Sequence, residues 1–228
     1  MKLSTYDRNK SDISDDEIFY QQPRFVHHLS DSFRNRLTSL YSEYLLNHYI
    51  ILDLMSSWVS HLPSNISYKK VIGHGMNEAE LSSNERLDRF FVQNLNKKQN
   101  MPIEDSSVDV GLIVAGWQYL QYPEKVSLEL SRVIKSDSLL IISFTNRAFW
   151  TKAPNIWTYS SEEKRIEYVT SVLISNGWRI EKILNEKTQD KKLFGFYSSE
   201  SDPFFSVIAR NNKSCLLYTS PSPRDLVI

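Results

Sequence analysis

The chain has 228 residues, and its 27 Lys plus Arg balance 27 Asp plus Glu, so the formal net charge is zero. That balance offers no electrostatic hold on nucleic acid or on an anionic membrane, and the longest apolar run, around Val108 to Trp117, is far too short to cross a bilayer. A single cysteine rules out a disulfide framework, and the five histidines show no metal-ligand spacing, so no metal is expected.

Residues 1–17 are polar and are expected to form a flexible N-terminus. They lack the apolar core of a secretory signal, and their acids argue against a transit peptide. The expected location is therefore cytoplasmic, or the plastid stroma for a eukaryotic source. "FYQQPRF", residues 19–25, is too aromatic for a free tail. Ser30 or Asp31 can cap a helix through a side-chain oxygen. Phe33, Leu37, Leu40, Tyr41, Tyr44 and Leu45 then give it one apolar face, up to about Asn47.

"YIILDLM" reads as a strand buried on both faces. "ILDLMSSWVSH", residues 51–61, carries that strand into the expected start of a helix. "YKKVIGHG" and "RFFVQNL" are the second and third strands, separated by a helical stretch, "MNEAELSSNERL". "SVDVGLIVAGW" is the fourth strand. Pro123 opens the helix "PEKVSLELSRVIK". "SLLIISFTN" is the fifth strand, and the helix that follows ends at Gly177. "WRIEKILNE" and "FFSVIARN" close the sheet. This alternation predicts an α/β fold: a doubly wound, mostly parallel seven-stranded sheet with an N-terminal helical cap, forming one domain over 18–213. Residues 214–228 are set apart, because "CLLYTSPSPRD" resembles the in-frame translation of a transposase-type sequencing adapter. The natural sequence is expected to be cut at about Ser214.

The order of elements resembles that of class I S-adenosylmethionine-dependent methyltransferases. Residues 100–143, "NMPIEDSSVDVGLIVAGWQYLQYPEKVSLELSRVIKSDSLLIIS", are similar to the characteristic segment of the methyltransferase type 11 group. "FYQQPRFVHHLSD", "ILDLMSSWVSH", "GMNEAEL" and "FTNRAFWTKAPNIW" resemble a narrower set of methyltransferase-like proteins from oxygenic phototrophs. The resemblance implies S-adenosyl-L-methionine as cofactor and a small molecule or a protein as substrate. Nucleic acid and membrane are not expected partners, and no oligomeric state is implied.

The resemblance also assigns positions. Asp53 matches the acid near the end of the first strand, and Ser56 and Ser57 stand where relatives carry glycines. The alternative is that Asp53 and the serines only end a strand and cap a helix. Gly75 falls at the position of the ribose-binding acid, with Asn77 as the nearest polar substitute; the alternative for Asn77 is a plain helix cap. A charged acceptor contributes about 1.5–3 kcal/mol and a neutral one about 0.5–1.5. Loss of the acid therefore implies roughly ten- to a hundredfold weaker binding. Asn94 and Leu95 match the pair beside the adenine; Asn94 alternatively ends a turn. Trp117, Tyr20, Arg24, Arg147 and Trp150 are candidate substrate-binding residues, with Lys152 as a further cation for an anionic group. The alternative packs the tryptophans and pairs Arg147 with an acid. No catalytic residue is evident. The rival function is a catalytically silent methyltransferase fold used for binding or assembly. The chain has no "GxGxxG" for a nicotinamide cofactor.

Overall fold

The computed structural model describes residues 2–187, 192–193, 196–197 and 202–213. The adapter-like residues 214–228 lie outside these. In chain order the elements are α1 (Thr5–Arg8), α2 (Asp16–Phe19), α3 (Asp31–Tyr44), β1 (Ile50–Leu54), β2 (Lys70–Gly75), α4 (Glu78–Ser82), β3 (Arg89–Val92) and β4 (Val108–Val114). They continue with α5 (Pro123–Val133), β5 (Ile134–Phe144), α6 (Asn155–Thr158), α7 (Glu162–Ser175), β6 (Trp178–Glu186), β7 (Lys192–Leu193), β8 (Phe196–Tyr197) and β9 (Phe204–Asn211).

Seven strands form one sheet in the order β3-β2-β1-β4-β5-β9-β6. β1 pairs in parallel with both β2 and β4, while β9 runs antiparallel between β5 and β6. The chain order of the strands reverses between β1 and β4. In open α/β sheets such a reversal leaves a crevice beyond the carboxyl ends of the strands.

Helices seal both faces. α3 begins at Ser30, whose hydroxyl accepts from the Phe33 N–H, and it buries Phe33, Leu37, Leu40 and Tyr41 on one face of the sheet. α5 and α7 cover the other face. Pro123 starts α5, and Val126, Leu130 and Val133 form its buried stripe. α7 stops at Asn176, followed by Gly177 with φ of 84°, a left-handed conformation glycine adopts without strain. Among the described residues no helix is long and apolar enough to cross a membrane.

Three expectations are corrected. The helix expected after β1 does not form, and residues 55–69 run irregularly. "SSWVSHLPSN" lacks a helical apolar period, and Pro63 is incompatible with a helix passing through it. The serine hydroxyls bond locally instead, a known competitor of helix formation. The second helical stretch, expected over 76–87, is confined to α4. The N-terminus is docked rather than loose. It carries α1, with a capping box between Ser4 and Asp7, and α2, capped by Asp15. Arg8 reaches Glu124 at 2.8 Å, and the Asp12 N–H donates to the Thr151 carbonyl at 2.9 Å.

Candidate functional site

The site is built from the end of β1 outward. Asp53 is buried, and its Oδ2 accepts from the hydroxyls of Ser56 at 2.7 Å and Ser60 at 2.5 Å. Burial raises its carboxyl above the usual range, and the two hydroxyls only partly offset this. Met55 follows in the left-handed region, with φ of 57°. A non-glycine residue there carries strain of order 1–3 kcal/mol, and such strain collects at functional sites. Ala115, at the end of β4, shares it, with φ of 48°.

His74 of β2 holds the loop in place. Its Nδ1 accepts from the Met55 N–H at 3.1 Å, so the proton sits on Nε2, which faces the Gln93 carbonyl at 2.9 Å. Its own carbonyl accepts from the Ser56 N–H at 2.7 Å. Burial pushes the His74 imidazole down to about 4. These bonds carry the loop across the end of β2. A Cβ on Gly75 would lie 2.6 Å from the Ser56 carbonyl oxygen. Position 75, where the resemblance implies an acid, therefore has no room here for a side chain.

Asn77 is spent on structure. Its Oδ1 accepts from the Glu80 N–H at 3.0 Å and caps α4. Its Nδ2 donates to the carbonyls of Tyr20 and Gln21 at 2.9 and 3.0 Å. Ser57 donates to Glu80 Oε2 at 2.5 Å, while Glu80 Oε1 accepts from the main-chain N–H of Arg24 at 2.7 Å. Neither Ser56 nor Ser57 caps a helix. Beyond β3, Asn94 Oδ1 accepts from the Asn96 N–H at 2.9 Å in a local turn, and Leu95 is buried in the core.

These strand ends and residues 20–29 enclose a cavity of about 430 Å³, within the size range of small-molecule sites. Asp53, Ser56, Ser57, Gly75, Asn77, Asn94 and Leu95 all line it, with Tyr20, Arg24 and Arg147. Two of the expected aromatics do not line it. Trp117 is 1% exposed and belongs to the core, because the turn after β4 folds it inward. Trp150 is 43% exposed and packs under the Arg165 guanidinium, 5.1 Å from its ring centroid. Arg147 is paired with Asp202 at 2.5 Å. Lys152 lines the cavity but is not free to hold an anion. It is 1% exposed, lies 3.1 Å from Asp12 and 3.7 Å from Asp16, and donates to Ser14.

Sequence reasoning missed several lining groups: His74, Met55, Tyr41 and Gln118. Tyr41 Oη and Gln118 Oε1 are buried and have no hydrogen-bond partner among the described residues. Such atoms are costly unless something pairs with them. Tyr41 was legible only as part of an apolar helix face, and Gln118 only as a residue of "AGWQYL". His28 also lines the cavity, and burial and then the Arg24 charge hold its imidazole below the usual value. Among the described residues no cluster of His, Cys, Asp and Glu could hold a metal ion.

A family model described as a methyltransferase domain matches residues 56–142, less than half of the chain. No curated protein matches the sequence at a significant level. Solved structures share the fold. An S-adenosylmethionine-dependent methyltransferase from Mesorhizobium loti aligns with a TM-score of 0.53 at 13% identity, over 75% of this chain and 95% of its own. A geranyl diphosphate C-methyltransferase from Streptomyces coelicolor, solved with magnesium, geranyl diphosphate and S-adenosyl-L-homocysteine, gives 0.51 at 12% identity, over 79% and 78%. The [4+2]-cyclase SpnF gives 0.58 at 12% identity, over 83% and 89%. The chain has the class I methyltransferase fold, a fold that serves more than one chemistry.

Proposed function

We propose that the protein is an S-adenosylmethionine-dependent methyltransferase acting on a small molecule or a protein. The observation that carries this reading is the open cavity at the carboxyl ends of β1, β2 and β4, where this fold binds ligands. The methyltransferase-domain match over residues 56–142 supports it. The finer resemblance, to methyltransferase-like proteins of oxygenic phototrophs, would place the enzyme in the cytoplasm or the plastid stroma.

The residues fit the cofactor unevenly. Asn94 and Leu95 would flank an adenine, and Asn94 retains a side-chain amide for it. Asp53 and the main chain of 55–57 would face the methionine end. The ribose has no acid, because Gly75 cannot carry one and Asn77 is spent. When bound, the cofactor supplies an electrophilic methyl group. This chain's part is to position the acceptor atom and exclude water.

One observation favours a second reading, a binding protein that has lost the cofactor: the Ser56 carbonyl stands where the ribose-binding side chain would emerge. Titration calorimetry with S-adenosylmethionine and S-adenosylhomocysteine separates the two. The methyltransferase reading predicts saturable one-to-one heat for both ligands. Absence of heat at millimolar ligand would leave the binding role.

A further inference from the structure

We propose that the substrate half of the cavity is a site for an aryl carboxylate that also carries a hydroxyl or amine. In this arrangement Arg24 takes the carboxylate and Gln118 Oε1 accepts from the donor group. This deepens the methyltransferase reading and rests on it for the identity of the other ligand.

The charge inventory of the cavity singles out Arg24. Four cationic side chains line it: Arg24, Arg34, Arg147 and Lys152. Arg34 is paired with Asp31, Arg147 with Asp202, and Lys152 with Asp12 and Asp16. Among the described residues Arg24 has no carboxylate at ion-pair distance. Its one guanidinium bond runs from Nη2 to the Phe19 carbonyl at 2.8 Å, leaving most of its donors unspent. The nearby acids are occupied. Glu80 spends one oxygen on the Arg24 main-chain N–H and the other on Ser57, and Asp16 is shared by Lys10 and Lys152. A guanidinium presents a planar fork that matches a carboxylate bidentately.

The walls around it are aromatic. The Arg24 guanidinium carbon lies 4.5 Å from the Phe19 ring centroid, 5.6 Å from Phe149 and 5.7 Å from Tyr20. Tyr119 stacks on Phe149 at 6.1 Å, and His28 meets Phe149 edge-on at 5.5 Å. Tyr20, Tyr119, Phe149 and His28 all line the cavity. Aromatic walls favour a flat, apolar body on the ligand.

Gln118 supplies the second polar contact. It is 2% exposed, and its Nε2 donates to the Arg147 carbonyl at 3.3 Å, which orients the amide. Gln118 lines the cavity, and its Oε1 is left buried without a partner among the described residues. An unpaired buried acceptor selects a ligand that brings a donor. Arg147 and Phe149 are two residues apart, so the same loop links the amide to the aromatic wall beside Arg24.

The test is calorimetry with 4-hydroxybenzoate, its methyl ester and benzoate against wild type, R24Q and Q118M. An unchanged melting temperature checks the folding of each variant. R24Q is expected to weaken 4-hydroxybenzoate binding by roughly ten- to a hundredfold, the range for losing a charged hydrogen-bond partner. The ester should bind wild type and R24Q equally weakly, and Q118M should remove the preference for 4-hydroxybenzoate over benzoate. Should R24Q not fold, the acid-against-ester comparison on wild type still decides. Equal binding of acid and ester, or undiminished acid binding by R24Q, would overturn the proposal. So would absence of acid binding by wild type at millimolar concentration. A parallel titration with S-adenosylhomocysteine separates the failures. If it binds and the acid does not, only the substrate class is wrong. If the acid binds through Arg24 and S-adenosylhomocysteine does not, the acid site stands and the methyltransferase reading falls.

Discussion

The carbonyl oxygen of Ser56 sits 2.6 Å from the point a Cβ on Gly75 would occupy. The contact is with main chain, so a side chain at 75 cannot be accommodated by a rotamer change. Gly75→Ala and Gly75→Asp should each lower stability by about 1–3 kcal/mol, the usual range for overpacking. Gly75→Asp should bring no gain in S-adenosylhomocysteine affinity. Chemical denaturation and calorimetry on the same preparations check both statements. A stable Gly75→Asp that binds more tightly would show that the 55–57 loop yields.

The loop owes its path to His74, and this makes the fold acid-sensitive. The His74 imidazole is depressed by burial from 6.5 to about 4, and burial likewise takes His61 to about 4. The unfolded chain therefore binds more protons than the folded one between these values. Stability is full above pH 6.5 and falls as the pH drops towards 4, by up to about 3 kcal/mol per group. Asp53 acts the other way, because burial raises its carboxyl and through this group a lower pH favours the folded state. Denaturation midpoints from pH 7.5 to 4 should fall for wild type, and His74→Gln should flatten the slope. An unaltered slope in that variant would contradict the assignment.

Asn77 has two separable jobs. Asn77→Ser keeps a capping oxygen for α4 but removes the Nδ2 bonds to the Tyr20 and Gln21 carbonyls. Asn77→Ala removes both and should cost about 1–2 kcal/mol from the cap alone. Hydrogen exchange should speed up across residues 12–29 in both variants, and within α4 in the alanine variant only. Unchanged exchange over 12–29 in Asn77→Ser would show that these bonds do not hold the N-terminal segment.

Met55 occupies space that glycine would leave open. It holds φ of 57°, and a Cβ on the facing Gly116 would lie 2.6 Å from the Met55 Cβ. Met55→Gly relieves backbone strain while losing side-chain packing, so its net effect on stability should be small. It should strengthen S-adenosylhomocysteine binding by clearing the floor of the cavity, which a titration reads directly.

The sheet was legible in the sequence because its apolar runs are short, bounded and rich in Ile, Val and Leu, from "YIILDL" to "FFSVIAR". The caps at Ser30 and Asn77, and the stop at Gly177, were legible for local reasons: short side-chain oxygens before a helix, and a glycine after one. The path of residues 55–69 was not. It depends on Asp53 drawing in Ser56 and Ser60 and on His74 of a neighbouring strand, contacts that no local pattern encodes. The docking of the N-terminus was hidden for the same reason. Asp12 and Asp16 are ordinary surface acids until the fold brings the buried Lys152 to them. Of the candidate site, the positions flanking the cavity were readable, but Trp117 and Trp150 were not separable from cavity residues by composition.

A crystal structure of the protein grown with S-adenosylhomocysteine tests the central claim most directly. Density for the ligand is expected in the 430 Å³ cavity, with its adenine beside Asn94 and Leu95 and its ribose lacking a carboxylate partner. An empty cavity at saturating ligand, or the ligand bound elsewhere, would contradict it.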